Sequence, residues 1–298
     1  MPPQQKAFYF AITTVFLWST VATAFKLSLL HLSPLQLLFY ANLASTLTLL
    51  LLLLFEGRIG QLRSLRWPQF RRGFLLGLLN PLLYYLVLFK AYDLLPAQEA
   101  QPINYTWAIT LSLLSVPLLG HRLTGKELLS ILVSYAGVVV IVTHGEPFSL
   151  TFSSLPGVAL ALVSTLIWAV YWIYSTRGSL DPVIALFLNF ATALPLVALL
   201  VWATSTFYPL DFRGIAAAVY VGVIEMGIAF VLWLKAMRLT SSTVKIATLI
   251  YFAPFLSLIL IHFILGETIR WSSVAGLVLI VAGNLIPRWR MPVTQNQG

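Results

Sequence analysis

The stretch Pro96–Thr110 reads P-A-Q-E-A-Q-P-I-N-Y-T-W-A-I-T and begins a hydrophobic region of the chain. It places Glu99, Asn104 and Trp107 within a few helical turns of one another. A polar group in hydrocarbon is costly unless another group satisfies its hydrogen bonds. We therefore expect this stretch to face the interior of a membrane-embedded helical bundle, with the other hydrophobic segments arranged around it.

The composition of the chain favours a membrane setting. Its 298 residues are 59% hydrophobic and 9% charged, whereas about 25% of the residues in an ordinary soluble domain are charged. This deficit leaves too little charge to cover a soluble surface, so we expect the chain to be integral to a lipid bilayer. The absence of cysteine excludes disulfides and thiolate chemistry.

Ten segments are apolar enough to cross a bilayer, for which a helix needs about 20 residues. Their connections are short, and none is long enough to form a soluble domain. The sequence therefore predicts an all-α, polytopic membrane protein with ten transmembrane helices. The predicted segments are 7–30, 35–55, 70–94, 97–118, 124–143, 154–175, 183–204, 213–237, 242–264 and 271–287.

The net charge of +9 would also fit a nucleic-acid partner, but the basic residues are unevenly distributed. With the N-terminus inside, 14 lysines and arginines fall on the inner side of the membrane and 4 on the outer side. Cytoplasmic loops of membrane proteins carry such an excess. We therefore predict cytoplasmic N- and C-termini and no nucleic-acid partner.

Short motifs return at a nearly constant spacing. F-L-W-S at 16–19 resembles L-I-W-A at 166–169, and five such pairs are offset by 150, 148, 145, 146 and 146 residues. A repeat of five helices has odd parity, so its second copy must be inverted in the membrane. Inverted repeats are typical of transporters, whose substrate site lies near the midplane between the repeats. We predict one membrane domain built from the repeats 1–146 and 147–298.

A pattern near the C-terminus points to a known family. L-G-E at 265–267 is followed by two alanine–glycine pairs, at 275–276 and 282–283. Together with the predicted helices and repeat, this pattern resembles the EamA-type branch of the drug/metabolite transporter superfamily over nearly the whole chain. The resemblance implies two bundles around a central cavity, alternating access, and export of small metabolites.

Three stretches resemble one group of proteins within this branch. The residues from Glu99 to Trp107, with W-S-T at 18–20 and Y-F-A-P at 251–254, are similar to the bacterial aromatic amino acid exporters of that branch. This similarity implies a multi-pass protein of the bacterial inner (plasma) membrane. The sequence departs from the pattern at Glu225, where we expect a small or neutral residue.

Glu225 is about eleven residues from either end of its segment, so its carboxylate cannot easily reach the interface. A charge at that depth costs about 2.5 to 3.5 kcal/mol on insertion scales. We consider two functional roles for Glu225, namely proton coupling and anchoring of a substrate ammonium group. The alternative is a protonated glutamate that is hydrogen-bonded between helices.

Several tryptophans lie too deep for the aromatic belts of membrane interfaces. Trp18 and Trp107 are about ten or more residues from both ends of their segments, and Trp168 is seven residues from the nearer end of its segment. Indole walls suit apolar or aromatic side chains and attract an ammonium group by cation–π contact, although plain interhelical packing is the alternative. The predicted substrate-binding residues are Trp18, Tyr84, Trp107, Trp168, Trp172, Glu225, Trp233 and Tyr251.

Three residues are candidates for gating or coupling. Lys90 and Glu99 lie toward the outer ends of their segments, where they would pair across the connection or close an outer gate. The alternatives are a snorkelling lysine and an interfacial glutamate. Pro254 falls within a segment, where a proline removes a backbone donor and kinks the helix, so we predict a hinge there.

Signals of enzymatic chemistry are absent from the sequence. The four histidines, His31, His121, His144 and His262, show no metal-ligand spacing. The motifs G-x-S-x-G and H-E-x-x-H do not occur. We therefore predict that the protein is not an enzyme and uses no cofactor or metal ion.

The sequence thus predicts a secondary transporter that exports small metabolites, above all aromatic and other hydrophobic amino acids, by alternating access through a central cavity. We expect an amino acid as the ligand, and a monomer or weak homodimer in the bilayer. An alternative is a transporter of nucleotide-sugars or phosphorylated metabolites, which needs Lys or Arg in the cavity. A channel is the alternative from a different class, and it predicts ion conductance far above carrier turnover.

Overall fold

All regular secondary structure in the described residues is helical. The computed structural model describes residues 1–119, 124–146, 148, 152–175, 177–178, 180–204, 211–240, 246 and 249–286. The helices of the first half are α1 Pro3–Leu29, α2 Pro34–Phe55, α3 Gly60–Arg63, α4 Trp67–Leu94, α5 Ala97–Asn104, α6 Trp107–Leu119 and α7 Gly125–Val142. Those of the second half are α8 Leu155–Ser175, α9 Pro182–Ala203, α10 Phe212–Leu239, α11 Ile250–Leu265 and α12 Trp271–Leu285.

Seven of these helices are long and apolar enough to cross a membrane: α1, α2, α4, α7, α8, α9 and α10. The helices α11 and α12 are apolar but shorter. Part of the predicted segment 242–264 lies outside the described residues. The described residues therefore form an all-helical bundle with several candidate membrane spans.

The predicted segment 97–118 is not one continuous helix, which corrects the sequence analysis. It divides into α5 and α6 at Tyr105 and Thr106. The backbone N–H of Thr106 donates to the carbonyl of Ile103, three residues back, at 3.1 Å, and its hydroxyl donates to the same carbonyl at 2.8 Å. Pro102, inside α5, has no backbone N–H to contribute. The break therefore follows from local hydrogen bonding.

Two helices contain π-helical stretches, Leu78–Leu83 in α4 and Val221–Ala229 in α10. Such stretches are frequent at functional sites. Asn80 and Glu225 are buried and lie in these two stretches. Their spacing of 145 residues equals that of the F-K-A and L-K-A motifs around Lys90 and Lys235.

Glycines allow two close helix crossings. A Cβ atom added at Gly77 of α4 would lie 2.5 Å from the carbonyl oxygen of Asn189 in α9. A Cβ atom added at Gly222 of α10 would overlap the carbonyl oxygen of Ala41 in α2. Any side chain at these positions would separate the helices. The two crossings thus place α4 against α9 and α10 against α2.

Candidate functional site: a central aromatic cavity and its two ends

A central cavity of about 90 Å³ lies among α1, α4, α5, α6, α8, α10 and α11. This volume is smaller than that of typical small-molecule sites, which measure roughly 300 to 1,000 Å³. Aromatic rings supply much of its wall: Trp18, Phe25, Tyr84, Tyr85, Tyr92, Tyr105, Trp107, Trp168, Trp172, Phe230 and Trp233. The cavity is therefore contracted, and a larger solute requires these rings to move apart.

Phe230 connects the tryptophans of the two halves of the chain. Its ring centre lies 5.9 Å from that of Trp18 and 5.7 Å from that of Trp168. Trp168 also stacks on Tyr84, with ring centres 4.5 Å apart and planes at 28°. Stacked and edge-to-face rings at these distances stabilise one another. The aromatic wall is therefore one connected set of contacts.

Glu225 brings a carboxyl group to this wall. It is buried, and its Oε1 accepts a hydrogen bond of 3.2 Å from the hydroxyl of Tyr85. Its Oε2 has no hydrogen-bond partner among the described residues. A buried polar atom without a partner is costly, and Glu225 lines the cavity. The carboxylate is thus able to accept a hydrogen bond from a bound ligand.

Polar groups of α5 lie on the same cavity. Asn104 donates to the hydroxyl of Ser164 at 3.0 Å and accepts from Tyr84 at 3.4 Å. Gln101, which is also buried, lines the cavity one turn earlier. The stretch with which the sequence analysis opens therefore contributes both amides and Trp107 to the site.

Seven of the eight predicted substrate residues line this cavity. Tyr251 is buried but is not among the lining residues, and its neighbour Ile250 lines the cavity instead. Both belong to the 3₁₀ turn Ile250–Phe252, which changes the direction of successive side chains relative to an α-helix. Pro254 follows this turn in the first turn of an α-helix rather than interrupting one. The seven lining residues are Trp18, Tyr84, Trp107, Trp168, Trp172, Glu225 and Trp233.

We name the two ends of the bundle after Glu99 and Asp181. The helix α8 begins beside Glu99, since Ser153 just before it donates to the Glu99 carboxylate at 2.8 Å. Its 21 residues extend for roughly 30 Å toward Asp181, the residue before α9. The Glu99 end and the Asp181 end therefore lie on opposite sides of the central cavity.

The Glu99 end is closed around a buried carboxylate. Glu99 has no exposed surface, and its Oε1 accepts hydrogen bonds from Arg270 at 2.5 Å and from Ser153 at 2.8 Å. The imidazole of His144 lies 3.1 Å from the same oxygen. Lys90 pairs with Asp93 at 2.6 Å, so the alternative in which Lys90 pairs with Glu99 is wrong, whereas a gating role for Lys90 stays a prediction. Asp93 lies three residues after Lys90 on the same helix, and side chains at this spacing are neighbours on the helix surface.

A second set of contacts clamps the start of α5. The carboxylate of Glu267, between α11 and α12, accepts from the backbone N–H groups of Ala97 and Gln98 at 2.9 and 3.3 Å. The side chain of Gln98 in turn donates to the Thr268 carbonyl and accepts from the Arg270 N–H. A carboxylate is favourable at a helix N-terminus. These bonds hold the two halves of the chain together at the Glu99 end.

An ion-pair network joins α2, α9 and α10 at the Asp181 end. Arg58 pairs with Asp181 at 2.8 Å and with Glu56 at 3.0 Å. Lys235 pairs with Glu56 at 2.9 Å, and Arg238 pairs with Asp181 at 3.1 Å. Hydrogen bonds from Lys235 and then Arg58 lower the pKa of Glu56. Burial raises the pKa of Asp181, but hydrogen bonds led by Arg58 outweigh burial and lower it.

A second cavity of about 490 Å³ lies between α4, α8, α9 and α10, next to this network. We call it the vestibule. It shares Trp172 and Phe230 with the central cavity, so these two side chains separate the cavities. Its wall includes Arg72, Arg177 and Arg238. The central cavity is therefore adjacent to open space toward the Asp181 end.

Sequence reasoning missed Arg270 and His144 as partners of Glu99. No local pattern signals these contacts, because they join residues 171 and 45 positions apart. Sequence reasoning also missed that Asn80 and Glu225 both lie in π-helical stretches. Their spacing of 145 residues, which is that of Lys90 and Lys235, is a signal that could have paired them. In the described part of the chain, no group of three or more His, Asp or Glu side chains could hold a metal ion.

Relatives in both bacteria and archaea are described as transporters. An aromatic amino acid exporter, YddG, of Ancylobacter novellus is 30% identical over 65% of this chain and 67% of its own length. An uncharacterized transporter of Archaeoglobus fulgidus is 24% identical over 91% of this chain and 93% of its own. For one of Clostridium kluyveri, at 28% identity, the chain matches only 56% of the relative's length. The class of protein to which these relatives point is that of transporters.

The family follows from a match over most of the sequence. The EamA-like transporter family matches residues 5–143 and 155–286. A solved crystal structure of a protein that is 25% identical superposes with a TM-score of 0.65, covering 95% of this chain and 96% of that one. The chain belongs to the EamA-like transporter family, and it is a multi-pass membrane transporter.

Proposed function

We propose that this transporter exports aromatic and other hydrophobic amino acids by alternating access through the central cavity. The observation that carries the proposal is the combination of an aromatic wall with one buried carboxylate, Glu225, one oxygen of which has no hydrogen-bond partner among the described residues. Aromatic rings suit an apolar side chain, and both rings and carboxylate attract an ammonium group. The name of the Ancylobacter novellus relative supports the same substrate class.

The proposed mechanism uses two inverted five-helix repeats, 1–146 and 147–298, which together form ten transmembrane helices. Two observations support this architecture. The family matches the chain in one block in each half. The glycine crossings at Gly77 and Gly222 are 145 residues apart, and their partners Ala41 and Asn189 are 148 apart.

We place the Asp181 end in the bacterial cytoplasm together with both termini, because the excess of Lys and Arg lies there. In this orientation the buried cluster around Glu99 closes the cavity on the outer side. The vestibule extends from the cavity toward the cytoplasm. The structure would then represent the state that accepts a solute from inside the cell, and export would require the Glu99 end to open.

A counterflow assay in liposomes tests the substrate class. Purified protein is reconstituted in vesicles loaded with unlabelled phenylalanine, tryptophan, threonine or methionine, and uptake of the same labelled amino acid is measured. We expect saturable uptake, with phenylalanine and tryptophan preferred because the cavity wall is aromatic. The absence of saturable flux for all four would reject amino acid export.

The same vesicles distinguish the alternative of phosphorylated metabolites, which the vestibule arginines favour. Glucose 6-phosphate is tested as the counterflow solute beside phenylalanine. The proposal expects no flux of the phosphate ester, because the described residues that line the central cavity include a carboxylate and aromatic rings but no arginine or lysine. Faster flux of glucose 6-phosphate would replace the amino acid with a phosphorylated substrate.

We further propose that Glu225 binds a proton and the substrate ammonium alternately. The variant Glu225→Gln keeps the size and hydrogen-bonding capacity of the side chain but cannot ionise. Export in vesicles with a pH gradient should then become independent of that gradient, while exchange of phenylalanine continues with a higher KM. An unchanged dependence on the pH gradient would reject the coupling role.

A further inference from the structure

The basic wall of the vestibule contains two arginines that contact the same residue, Tyr174. The guanidinium of Arg72 donates to the carbonyl of Tyr174, and that of Arg177 lies 5.5 Å from the centre of the Tyr174 ring. A Cβ atom added at Gly178 would lie 3.5 Å from Nε of Arg72, so the residue after Arg177 lies beside Arg72. Both arginines also line the vestibule.

These two cations lack the compensation that the third arginine has. Arg238 pairs with Asp181 at 3.1 Å. Among the described residues, by contrast, no carboxylate lies within ion-pair distance of Arg72 or Arg177. Like charges in a partly enclosed space repel one another more strongly than in bulk water. An anion between them removes that repulsion, and the planar guanidinium fork suits carboxylate and phosphate oxygens.

We propose that Arg72 and Arg177 form an anion site in the vestibule, and that this site binds the carboxylate of the transported solute before the solute enters the central cavity. The inference rests on the proposed function for the identity of the solute. The vestibule, at about 490 Å³, falls within the range of small-molecule sites without any movement. The central cavity, at about 90 Å³, does not.

The position of the two arginines in the vestibule agrees with binding of the solute there before it reaches the central cavity. Arg238 on the vestibule wall and Phe230 at its border with the central cavity are two turns apart on α10, which corresponds to roughly 12 Å. A zwitterionic solute would first meet the arginines and then Trp172, Phe230 and the carboxylate of Glu225. The two cavities would thus recognise the two charges of an amino acid in sequence.

Binding of benzoate, an aromatic carboxylate without an ammonium group, tests the site directly. The full chain is placed in phosphatidylcholine nanodiscs, and the dissociation constant is measured by titration calorimetry. The double variant Arg72→Gln, Arg177→Gln should bind benzoate at least about tenfold more weakly. The matched control Arg63→Gln, Arg71→Gln removes the same charge from exposed positions at the same end and should bind like the unmodified protein.

A charge-preserving variant covers the case in which the glutamine variant folds poorly. Arg72→Lys, Arg177→Lys should lose benzoate affinity by only a few fold, because two cations remain but the forked geometry does not. Equal benzoate affinity in all four proteins overturns the proposal. So does a loss of affinity in the control variant that equals the loss in the double variant.

Lipid headgroups offer the same anion chemistry, and native mass spectrometry separates the two sources. If benzoate fails to bind, and retention of phosphatidylglycerol falls only in the double glutamine variant, the site binds a headgroup and the solute proposal is overturned. Because these measurements do not involve transport, arginine-dependent benzoate binding without amino acid flux would reject the proposed function while the anion site stands.

Discussion

The two ends of the bundle are held by different kinds of interaction. At the Glu99 end a fully buried carboxylate accepts hydrogen bonds from Arg270 and Ser153 and lies beside His144. At the Asp181 end the ion pairs are partly exposed, with 57% of the Arg238 side chain accessible to solvent. Removing one partner of a buried pair costs about 3 to 5 kcal/mol, whereas exposed pairs contribute about 0 to 1 kcal/mol.

This difference explains how one conformation can be favoured over its opposite. The contacts at the Glu99 end bury the carboxylate of Glu99 completely, whereas open space lies beside the network at the other end, whose carboxylates are partly exposed. Opening the Glu99 end therefore requires the cost of those contacts to be offset. A substrate can do so only if it binds the opposite conformation more tightly.

The largest expected effect is that of Arg270→Ala, which leaves Glu99 buried without its cation. We expect the Glu99 end to open more often, because the closed state then contains an uncompensated charge. Arg270 is partly exposed, so we expect about tenfold, less than the full cost of a buried pair. The chain has no cysteine, so Gln101→Cys on the cavity wall is a unique probe. Its labelling rate by an impermeant maleimide, added to cells from outside, measures the opening.

Lys90→Ala is the matched control for this measurement. It also removes a cation from the Glu99 end, but its pair with Asp93 is exposed and lies within one helix. Labelling of Gln101→Cys should change little, because such a pair contributes only about 0.3 to 0.5 kcal/mol. Equal acceleration by the two variants would mean that overall charge, rather than the buried pair, keeps this end closed.

A smaller effect is expected from Glu267→Gln. The amide oxygen can replace only one of the two carboxylate oxygens that accept from the N–H groups of Ala97 and Gln98, so the variant loses one of these hydrogen bonds and the charge at the N-terminus of α5. The charge alone is worth about 0.3 to 1 kcal/mol, which predicts a labelling rate of Gln101→Cys that rises by a factor of at least about two to five. Glu267→Ala also removes the remaining hydrogen bond, so its labelling rate should be higher than that of Glu267→Gln. Faster labelling in Glu267→Gln than in Glu267→Ala would show that the hydrogen bonds of Glu267 to the start of α5 do not hold this end closed.

The contrast between the ends also shows which features the sequence could predict. The positions of the apolar helices follow from hydrophobicity, which is a local property of the chain. Trp18, Trp107 and Trp168 were predicted to line a cavity because their depth in the segments excludes an interfacial position. The depth of a residue in the membrane depends on its distance from the ends of its helix, so it can be counted directly from the sequence.

Contacts between distant segments were not predictable in this way. Glu99 was recognised as a gating candidate, but its partner Arg270 is 171 residues away, and many basic residues were possible partners. Lys90 forms its ion pair with the nearby Asp93 instead. The 3₁₀ turn that includes Tyr251 also leaves no signal in hydrophobicity. Pairing and local irregularity depend on how helices pack, which one sequence without relatives does not specify.

The smallest expected effect concerns the Asp181 end and its dependence on pH. The variant Asp181→Asn removes the negative charge but keeps a good N-cap residue for α9, so it isolates the ion pairs with Arg58 and Arg238. At pH 7 the variant should be less stable by up to about 1 kcal/mol. Thermal unfolding of the purified protein, followed by tryptophan fluorescence, measures the difference.

Acid should remove that difference, because the pKa values of Asp181 and Glu56 are lowered in the folded protein. A carboxylate with a lowered pKa stabilises the fold above its unfolded pKa, about 3.9 for Asp and 4.3 for Glu. This contribution disappears as the pH falls through the folded pKa. The difference between the two unfolding temperatures should therefore shrink as the pH falls below about 4. A difference that does not shrink between pH 5 and pH 3 would show that Asp181 stabilises this end through something other than its charge. The contrast with the buried cluster at Glu99 would then no longer be one of exposed against buried ion pairs.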